Sequence, residues 1–293
     1  MPTFQDTELI LNADNKVYHL NLCNDDIADN IILVGDQNRV KQISNYFEKI
    51  EFKAEHREFI THTGWFNKQR ISVLSTGIGT DNIDIVVNEL DAAANIDLQK
   101  RELKKEHRKL NLIRLGTCGS LQEDVDVNQF VVSTHGIGLD GLLCFYKNWE
   151  NFSESEISEA FIKHCFWPST LPFPYCVAAS ETLLKKFNHV EFVNGITATA
   201  PGFYGPQGRQ IKLPTTLPQL NENLSTFKYK QNRIINFEME TSALYGLSKL
   251  LNHRSLTVCV VIGNRVTKKF TSNYNKSVSS LIETCLNTLT NNS

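Results

Sequence analysis

Short apolar runs alternate with amphipathic stretches along this chain. NIILVG (Asn30–Gly35), RISVLSTGIG (Arg70–Gly79) and LNLIRLGTCG (Leu110–Gly119) have the length and composition of buried strands. The stretches that follow the first two runs, NRVKQISNYFEKI and NIDIVVNELDAAANI, place apolar residues at helical spacing. Strands that alternate with helices predict α/β layers around a mostly parallel sheet.

The second half of the chain continues the same pattern. QFVVST, VEFVNGITATA and SLTVCVVIG predict three more strands, and Ser277–Leu289 predicts a closing helix. No linker of low complexity divides the chain, so we expect one domain over residues 1–293.

Composition and charge narrow the possible functions. The chain has 293 residues, of which 41% are hydrophobic and 21% charged, with a net charge of −2. These values are typical of a globular protein and do not indicate a nucleic-acid or membrane-surface partner. No apolar run reaches the roughly 20 residues of a spanning helix, and the N-terminus lacks an apolar signal core. A cytoplasmic protein is therefore expected.

Cysteine, histidine and lysine patterns give no sign of metal or nucleic-acid chemistry. The seven cysteines include no CxxC, and the eight histidines include no HxH or HExxH. We expect free thiols and no metal site. The basic run Asp97–Leu110 interleaves acids at helical spacing, which favours a solvated surface helix or insertion over a nucleic-acid site.

The hexapeptide NFEMET contains two acids around the only methionine after the initiator. Glu238 and Glu240 are two residues apart, so on a helix they point to different sides. A strand-to-helix corner that directs Met239 and Glu240 into a cleft is the functional interpretation. The alternative is a helix N-terminus with acids placed favourably for the helix dipole.

Several predicted strands end in glycine beside a side chain suited to binding an anion. Arg39 follows Gly35, and Arg114 and Thr117 lie in LIRLGTCGS. Ligands of α/β sheets bind at the carboxyl ends of strands, where glycine lets backbone N–H groups approach. Together these residues indicate a phosphate site, although each glycine alone could serve only a turn. The chain has neither a third glycine after GIG nor a P-loop.

The loop FYGPQGR combines an aromatic ring with two hydrogen-bonding side chains. Phe203 could stack on a flat heterocycle. Gln207 offers one donor and one acceptor, which complements a cyclic imide, and Arg209 offers donors only. A plain surface turn is the alternative.

Six motifs together resemble the nucleoside phosphorylase superfamily in content and order. They are NIILVGDQNRV, EHREF, STGIGTDN, LIRLGTCGSLQ, FYGPQGR and NFEMETSAL. Within it, FYGPQGR paired with EMET is most similar to the uridine phosphorylases. The resemblance extends from about Val17 to the C-terminal helix. It implies one three-layer α/β/α domain with a twisted mixed sheet. It also implies active sites at the subunit interfaces of a homodimer, or of a homohexamer built from dimers.

The resemblance also assigns roles by motif. The phosphate ligands would be Gly35, Arg39, Arg114 and Thr117, with Arg57 from the neighbouring subunit. The ribose ligands would be Thr117, Met239 and Glu240, with His19 from the neighbour near the 5′-hydroxyl. The base contacts would be Phe203, Gln207, Arg209 and Ile262, with Arg265 in the same wall. Arg114, Glu240 and Arg209 would be the catalytic residues.

The implied reaction is reversible phosphorolysis of uridine to uracil and ribose 1-phosphate in pyrimidine salvage, with phosphate as co-substrate and no cofactor. The alternatives are a nucleosidase, a purine nucleoside phosphorylase, a catalytically silent nucleoside-binding protein and a dinucleotide-dependent dehydrogenase. Purine-cleaving relatives carry an acid where this chain reads VIGNR, and neither Gly263 nor Asn264 is an acid.

The chain departs from the family pattern at several positions. Gln37 replaces the usual proline after GD, and Cys118, read as a packing residue, stands where a small polar residue is common. Some relatives hold a monovalent cation between subunits through an acid that matches Glu58. Here Asn82 replaces the serine expected beside it, so we do not expect that ion.

Overall fold

The computed structural model describes residues 3–188 and 191–291. Val190, the first residue of the predicted strand VEFVNGITATA, therefore lies outside the described residues. The described strands are β1 Asn30–Val34, β2 Lys49–His56, β3 Phe59–Phe66, β4 Gln69–Ser75, β5 Ile96–Asp97, β6 Glu102–Leu103, β7 Asn111–Ser120, β8 Phe130–Gly138, β9 Tyr175–Ala178, β10 Phe192–Thr199, β11 Lys228–Tyr229, β12 Asn232–Glu238 and β13 Arg254–Asn264. The described α-helices are α1 Gln37–Ser44, α2 Thr80–Asn95, α3 Ser155–Cys165, α4 Glu181–Lys186, α5 Leu220–Thr226, α6 Thr241–Leu250 and α7 Tyr274–Thr290.

A large mixed sheet forms the centre of the fold, with strand order β11-β12-β10-β8-β13-β7-β1-β4-β3-β2. β1 pairs in parallel with β4 and β7, whereas β3 is antiparallel to both β2 and β4. β12 pairs with β10 and also with β7, through Asn236↔Ser120 and Phe237↔Gly119. This second pairing closes β7, β13, β8, β10 and β12 into a ring.

The helices cover the sheet with their apolar faces. α6 packs on α2 and against β8 and β13, while α4 and α7 also contact β13 and α1 contacts β3 and β4. The predicted α/β fold with a twisted mixed central sheet is confirmed. No helix in the described part of the chain is long and apolar enough to cross a membrane.

One predicted helix is too long. The pattern of NRVKQISNYFEKI predicts a helix through Ile50, but α1 ends at Ser44, with Asn45 as its C-cap. Lys49 and Ile50 begin β2, the first strand of a hairpin with β3. Pairing with β3, which a local pattern cannot show, takes these residues from the helix.

The helical interpretation of Asp97–Leu110 is wrong. The segment begins with a short hairpin, in which β5 pairs with β6. Two of its basic residues bind the N-terminal part of the chain. Arg101 pairs with Asp6 at 2.8 Å, and Arg108 pairs with Asp29 at 2.7 Å. Tertiary ion pairs and hydrogen bonds therefore override the helical spacing of these charges.

Candidate active site

A cavity of about 700 Å³ lies beyond the carboxyl ends of β1, β7 and β13, beside the corner that follows β12. It brings together every site residue predicted to come from this chain's own side of the site. These lining residues are Gly35, Arg39, Arg114, Thr117, Phe203, Gln207, Arg209, Met239, Glu240, Ile262 and Arg265. The predicted residues therefore lie at the sheet edge that the strand-end rule indicates.

Two buried guanidinium groups form one end of the cavity. Arg39 lies in the first turn of α1 and donates to the Leu115 carbonyl at 3.2 Å. Burial lowers the pKa of Arg39, and the positive charge of Arg114 lowers it further. Two buried cations that repel one another in this way favour an anionic ligand between them.

Close backbone approach makes two glycines necessary here. A Cβ on Gly116 would lie 2.0 Å from Nη1 of Arg114, so the arginine can fold back only over a glycine. Gly79 has φ +100° and donates its N–H to Oε1 of Glu240 at 3.0 Å. A side chain at either position would displace Arg114 or strain the turn that binds Glu240.

The predicted strand-to-helix corner at NFEMET is confirmed. β12 ends at Glu238, and α6 begins at Thr241 with Glu240 as the N-cap of the helix. Met239 lies between the end of the strand and this N-cap. Glu238 accepts the N–H groups of Glu240 at 2.9 Å and Thr241 at 3.0 Å, and the Thr199 hydroxyl at 2.7 Å. Glu238 therefore fixes the backbone of the corner.

Arg114 joins the two carboxylates of this corner. Its guanidinium forms an ion pair with Glu240 and lies 3.6 Å from an oxygen of Glu238. Burial alone would lower the pKa of Arg114, but the charges of Glu240 and Glu238 raise it. Burial raises the pKa of the Glu240 carboxyl, and the charge of Arg114 opposes that rise. Glu240, predicted to bind ribose, and Arg114, predicted to bind phosphate, are thus in direct contact.

The loop at the other end of the cavity bonds to itself. Arg209 donates to Oε1 of Gln207 and to the Phe203 carbonyl, both at 2.5 Å, and its guanidinium carbon lies 3.7 Å from the centre of the Phe203 ring. The guanidinium thereby covers the face that a flat base would need for stacking. A ligand that stacks on Phe203 must displace Arg209 sideways.

VIGNR contributes no acid to this end of the cavity. The Asn264 amide donates to the carbonyls of Gln122 and Val125, both at 2.9 Å, so it serves the backbone of the loop after β7. Arg265 extends alongside the base loop, and its Nη2 lies 3.4 Å from the Gln207 carbonyl.

His19 and Arg57, predicted to serve a neighbouring subunit, are not among the residues lining the cavity of their own chain. Arg57 lies at the tip of the β2–β3 hairpin, and His19 lies beside this tip, where its carbonyl accepts a hydrogen bond from His56 at 3.0 Å. His19 contacts Glu89 at 2.6 Å, and the Arg57 guanidinium lies 5.8 Å from the centre of the Tyr18 ring. Gln37, the departure from the family pattern, donates to the Arg57 carbonyl at 3.1 Å and so supports this tip.

Cys118 lines the cavity but has the properties of a packing residue. Its thiol is buried against Cys259, and burial raises its pKa, which disfavours the nucleophilic thiolate. This geometry agrees with the packing role expected from sequence.

The Gly79 N–H, which donates to Glu240, carries no side-chain signal. Three residues that line the cavity next to Arg265 were not predicted: Lys268, Lys269 and Phe270. The cluster RVTKKF directly after VIGN was the available signal for these three.

Comparison with known proteins decides the family. A sequence model of the phosphorylase superfamily matches residues 29–289. The chain belongs to this superfamily. This phosphorylase is 32% identical over 86% of its length to a uridine phosphorylase from Thermococcus kodakarensis, of which it covers 79%. It is 27% identical over 87% of its length to a DeoD-type purine nucleoside phosphorylase from Oceanobacillus iheyensis, of which it covers 90%.

Solved structures agree with this membership. A Trypanosoma brucei nucleoside phosphorylase described as showing uridine phosphorylase activity superposes with a TM-score of 0.86 at 30% identity. That match covers 96% of this phosphorylase and 99% of the other chain.

Proposed function

We propose that this phosphorylase cleaves uridine with inorganic phosphate to give uracil and ribose 1-phosphate, reversibly, without a cofactor or metal ion. One observation carries the proposal. A single cavity holds two buried guanidiniums at one end and a Gln207–Arg209 pair at the other, with the Glu240 corner between them. The likeness to a uridine phosphorylase and to a structure with that activity supports the same substrate.

The chemistry needs no nucleophile from the protein. As the bond between C1′ and the base nitrogen stretches, the sugar becomes oxocarbenium-like. Arg39 and Arg114 hold the phosphate against C1′, which supplies proximity and charge neutralisation. Glu240 accepts hydrogen bonds from ribose hydroxyls, and its negative charge favours the cationic sugar. Met239 packs beneath the ribose.

The leaving base takes the electron pair of the broken bond. Arg209 donates to O4 of uracil, where this charge is shared, and Gln207 binds the imide edge. Cytosine presents an amino group in place of O4, so it meets Arg209 donor to donor. Mismatches of this kind can discriminate by about 10⁴. A purine leaving group finds no acid in VIGNR to protonate it.

The test is uracil release from uridine with and without phosphate, with cytidine and inosine in parallel. We expect phosphate-dependent cleavage of uridine and poor turnover of the other two. Release without phosphate would mean a nucleosidase, and comparable turnover of inosine would mean a purine-cleaving enzyme. No turnover with any of them would mean a silent binding protein.

We also propose that the active centre is shared between paired subunits of a homodimer, or of a homohexamer assembled from dimers. Neither Arg57, at the exposed tip of the β2–β3 hairpin, nor His19 beside it lines the cavity of its own chain. From the partner they would reach the phosphate and the ribose. In an isologous pair, each centre then takes Glu240 from one chain and Arg57 from the other.

Mixed assembly tests the shared centre. Arg57→Ala and Glu240→Ala should each be nearly inactive alone. Random 1:1 reassembly makes about half of the dimers mixed, and each mixed dimer has one intact centre, so about a quarter of parental activity should return. Confirmed mixed dimers without recovery would contradict sharing, provided that circular dichroism shows both variants folded.

A further inference from the structure

The base end of the cavity carries more positive charge than a neutral base requires. Of the basic residues that line the cavity, Arg114 is balanced by two carboxylates and Lys269 pairs with Asp126 at 2.9 Å. Arg39 belongs to the phosphate end. Arg209, Arg265 and Lys268 remain around the base.

Two of these cations have only neutral partners. In residues 3–188 and 191–291, no carboxylate forms an ion pair with Arg209 or Arg265. Their contacts are the Phe203 carbonyl, the Gln207 amide and the Gln207 carbonyl. Burial lowers the pKa of Arg209 to about 10, and the charge of Arg265 contributes to that drop. The two guanidiniums therefore repel one another without compensation.

The chemistry of uracil decides where added negative charge would fit. Its O4 needs one donor, which Arg209 supplies, and C5 is the ring atom next to C4. A carboxylate on C5 thus projects beside O4, towards the place where Arg265 adjoins Arg209. C6, the next ring atom, is bonded to N1 and so lies beside the ribose, where the charge of Glu240 would repel a carboxylate.

We propose that the active site also takes pyrimidine nucleosides whose base carries a carboxylate at C5, held between Arg209 and Arg265. This inference rests on the proposed function and names a further substrate class for the same site. Phosphorolysis then proceeds as for uridine. A phosphate oxygen bonds to C1′, the bond from C1′ to N1 breaks, and the electron pair leaves with the carboxylated uracil.

Binding without phosphate tests the proposal, because no chemistry occurs. Isothermal titration at low ionic strength would compare 5-carboxyuridine, uridine and orotidine, whose carboxylate has the same charge but sits on C6. We expect 5-carboxyuridine to bind about tenfold more tightly than uridine, and orotidine to show no such gain. With phosphate present, release of 5-carboxyuracil should be detectable.

Charge-removing variants locate the effect. Arg265→Met should abolish the preference for 5-carboxyuridine over uridine, and Lys268→Met should reduce it. Lys163→Met, which removes an exposed charge on α3 outside the cavity, should keep the preference. A preference that survives Arg265→Met, an equal gain for orotidine, or no gain for 5-carboxyuridine would overturn the inference.

Failure of the proposed function would look different. It would show as absent phosphate-dependent cleavage of uridine, whatever the binding data. The anion site would then still be judged by the free bases, from the affinities of 5-carboxyuracil and its 6-carboxy isomer.

Discussion

Replacing Arg114 by methionine should destabilise the protein as well as inactivate it. Methionine matches the aliphatic stem of the side chain but removes the guanidinium charge that balances Glu238 and Glu240. Arg114 is 5% exposed, Glu238 4% and Glu240 3%, so water cannot replace the lost partner. Removing one member of a buried ion pair typically costs about 3–5 kcal/mol of unfolding free energy. We expect a loss in that range for Arg114→Met.

A second substitution separates charge imbalance from lost packing. Glu240→Gln alone leaves Arg114 paired with Glu238, so we expect it to cost only about 1 kcal/mol. In the double variant, which combines Arg114→Met with Glu240→Gln, glutamine removes the charge of Glu240 and leaves only Glu238 without a cationic partner. The combined loss should therefore be smaller than the sum of the single losses, by about 1 kcal/mol or more. Arg233→Met is the matched control, because Arg233 pairs with Asp124 at the surface and should cost under about 1 kcal/mol.

The deficit of Arg114→Met should also depend on pH. Burial raises the pKa of the Glu240 carboxyl in the folded state above its unfolded value, and without the arginine nothing opposes that rise. The folded state then binds more protons than the unfolded state between those two values, so stability falls as pH rises through this window. The deficit should be smaller at pH 5 than at pH 8.

Urea unfolding followed by circular dichroism, at one fixed subunit concentration, measures these differences. A loss below 1 kcal/mol for Arg114→Met, strict additivity in the double variant, or a deficit that grows towards pH 5 would each refute the reasoning from a buried charge cluster.

Three further predictions concern Glu240, Gly116 and Arg101. Glu240→Gln should lower kcat while the KM for phosphate stays near the parental value. The activity of the parental enzyme should fall below neutral pH with a midpoint above the usual glutamate pKa, and this fall should be absent in the variant. A persisting acid limb would assign it to another group. Gly116→Ala should raise the KM for phosphate at least tenfold, because its Cβ would displace Arg114; an unchanged KM in steady-state assays would contradict that contact. Arg101→Ala should speed proteolysis of the N-terminal segment by severalfold, whereas the exposed Lys105→Ala should not; equal rates would show that the hairpin does not anchor it.

The sequence predicted the strand ends, and the side chains that line the cavity beside them, because both signals are local. An apolar run that stops at glycine marks the carboxyl end of a strand, and Arg39, Arg114 and Thr117 could be placed from it. The corner at Glu240 was predictable for the same reason, since strand and helix patterns meet there.

The contacts between these elements were not predictable, because they join residues far apart in the chain. Nothing near Arg114 indicates that Glu240 lies against it, and nothing near Gly79 marks its N–H as a donor. The charges of Asp97–Leu110 had helical spacing, but their partners Asp6 and Asp29 determine their structure. The size of the proposed oligomer has no local signal in this chain.

The closed ring of strands has a consequence for how ligands bind. Its seam between β7 and β12 consists of the two pairs Asn236↔Ser120 and Phe237↔Gly119. Arg114, the proposed phosphate ligand, lies in β7 on one side of this seam, and Glu240, the proposed ribose ligand, follows β12 on the other. We expect each ligand to bind more tightly to the closed seam, because the closed seam holds Arg114 against Glu240. Phosphate and nucleoside should then each strengthen the binding of the other, by reciprocal factors. Amide exchange at Gly119 and Ser120 should accordingly slow most when both are bound.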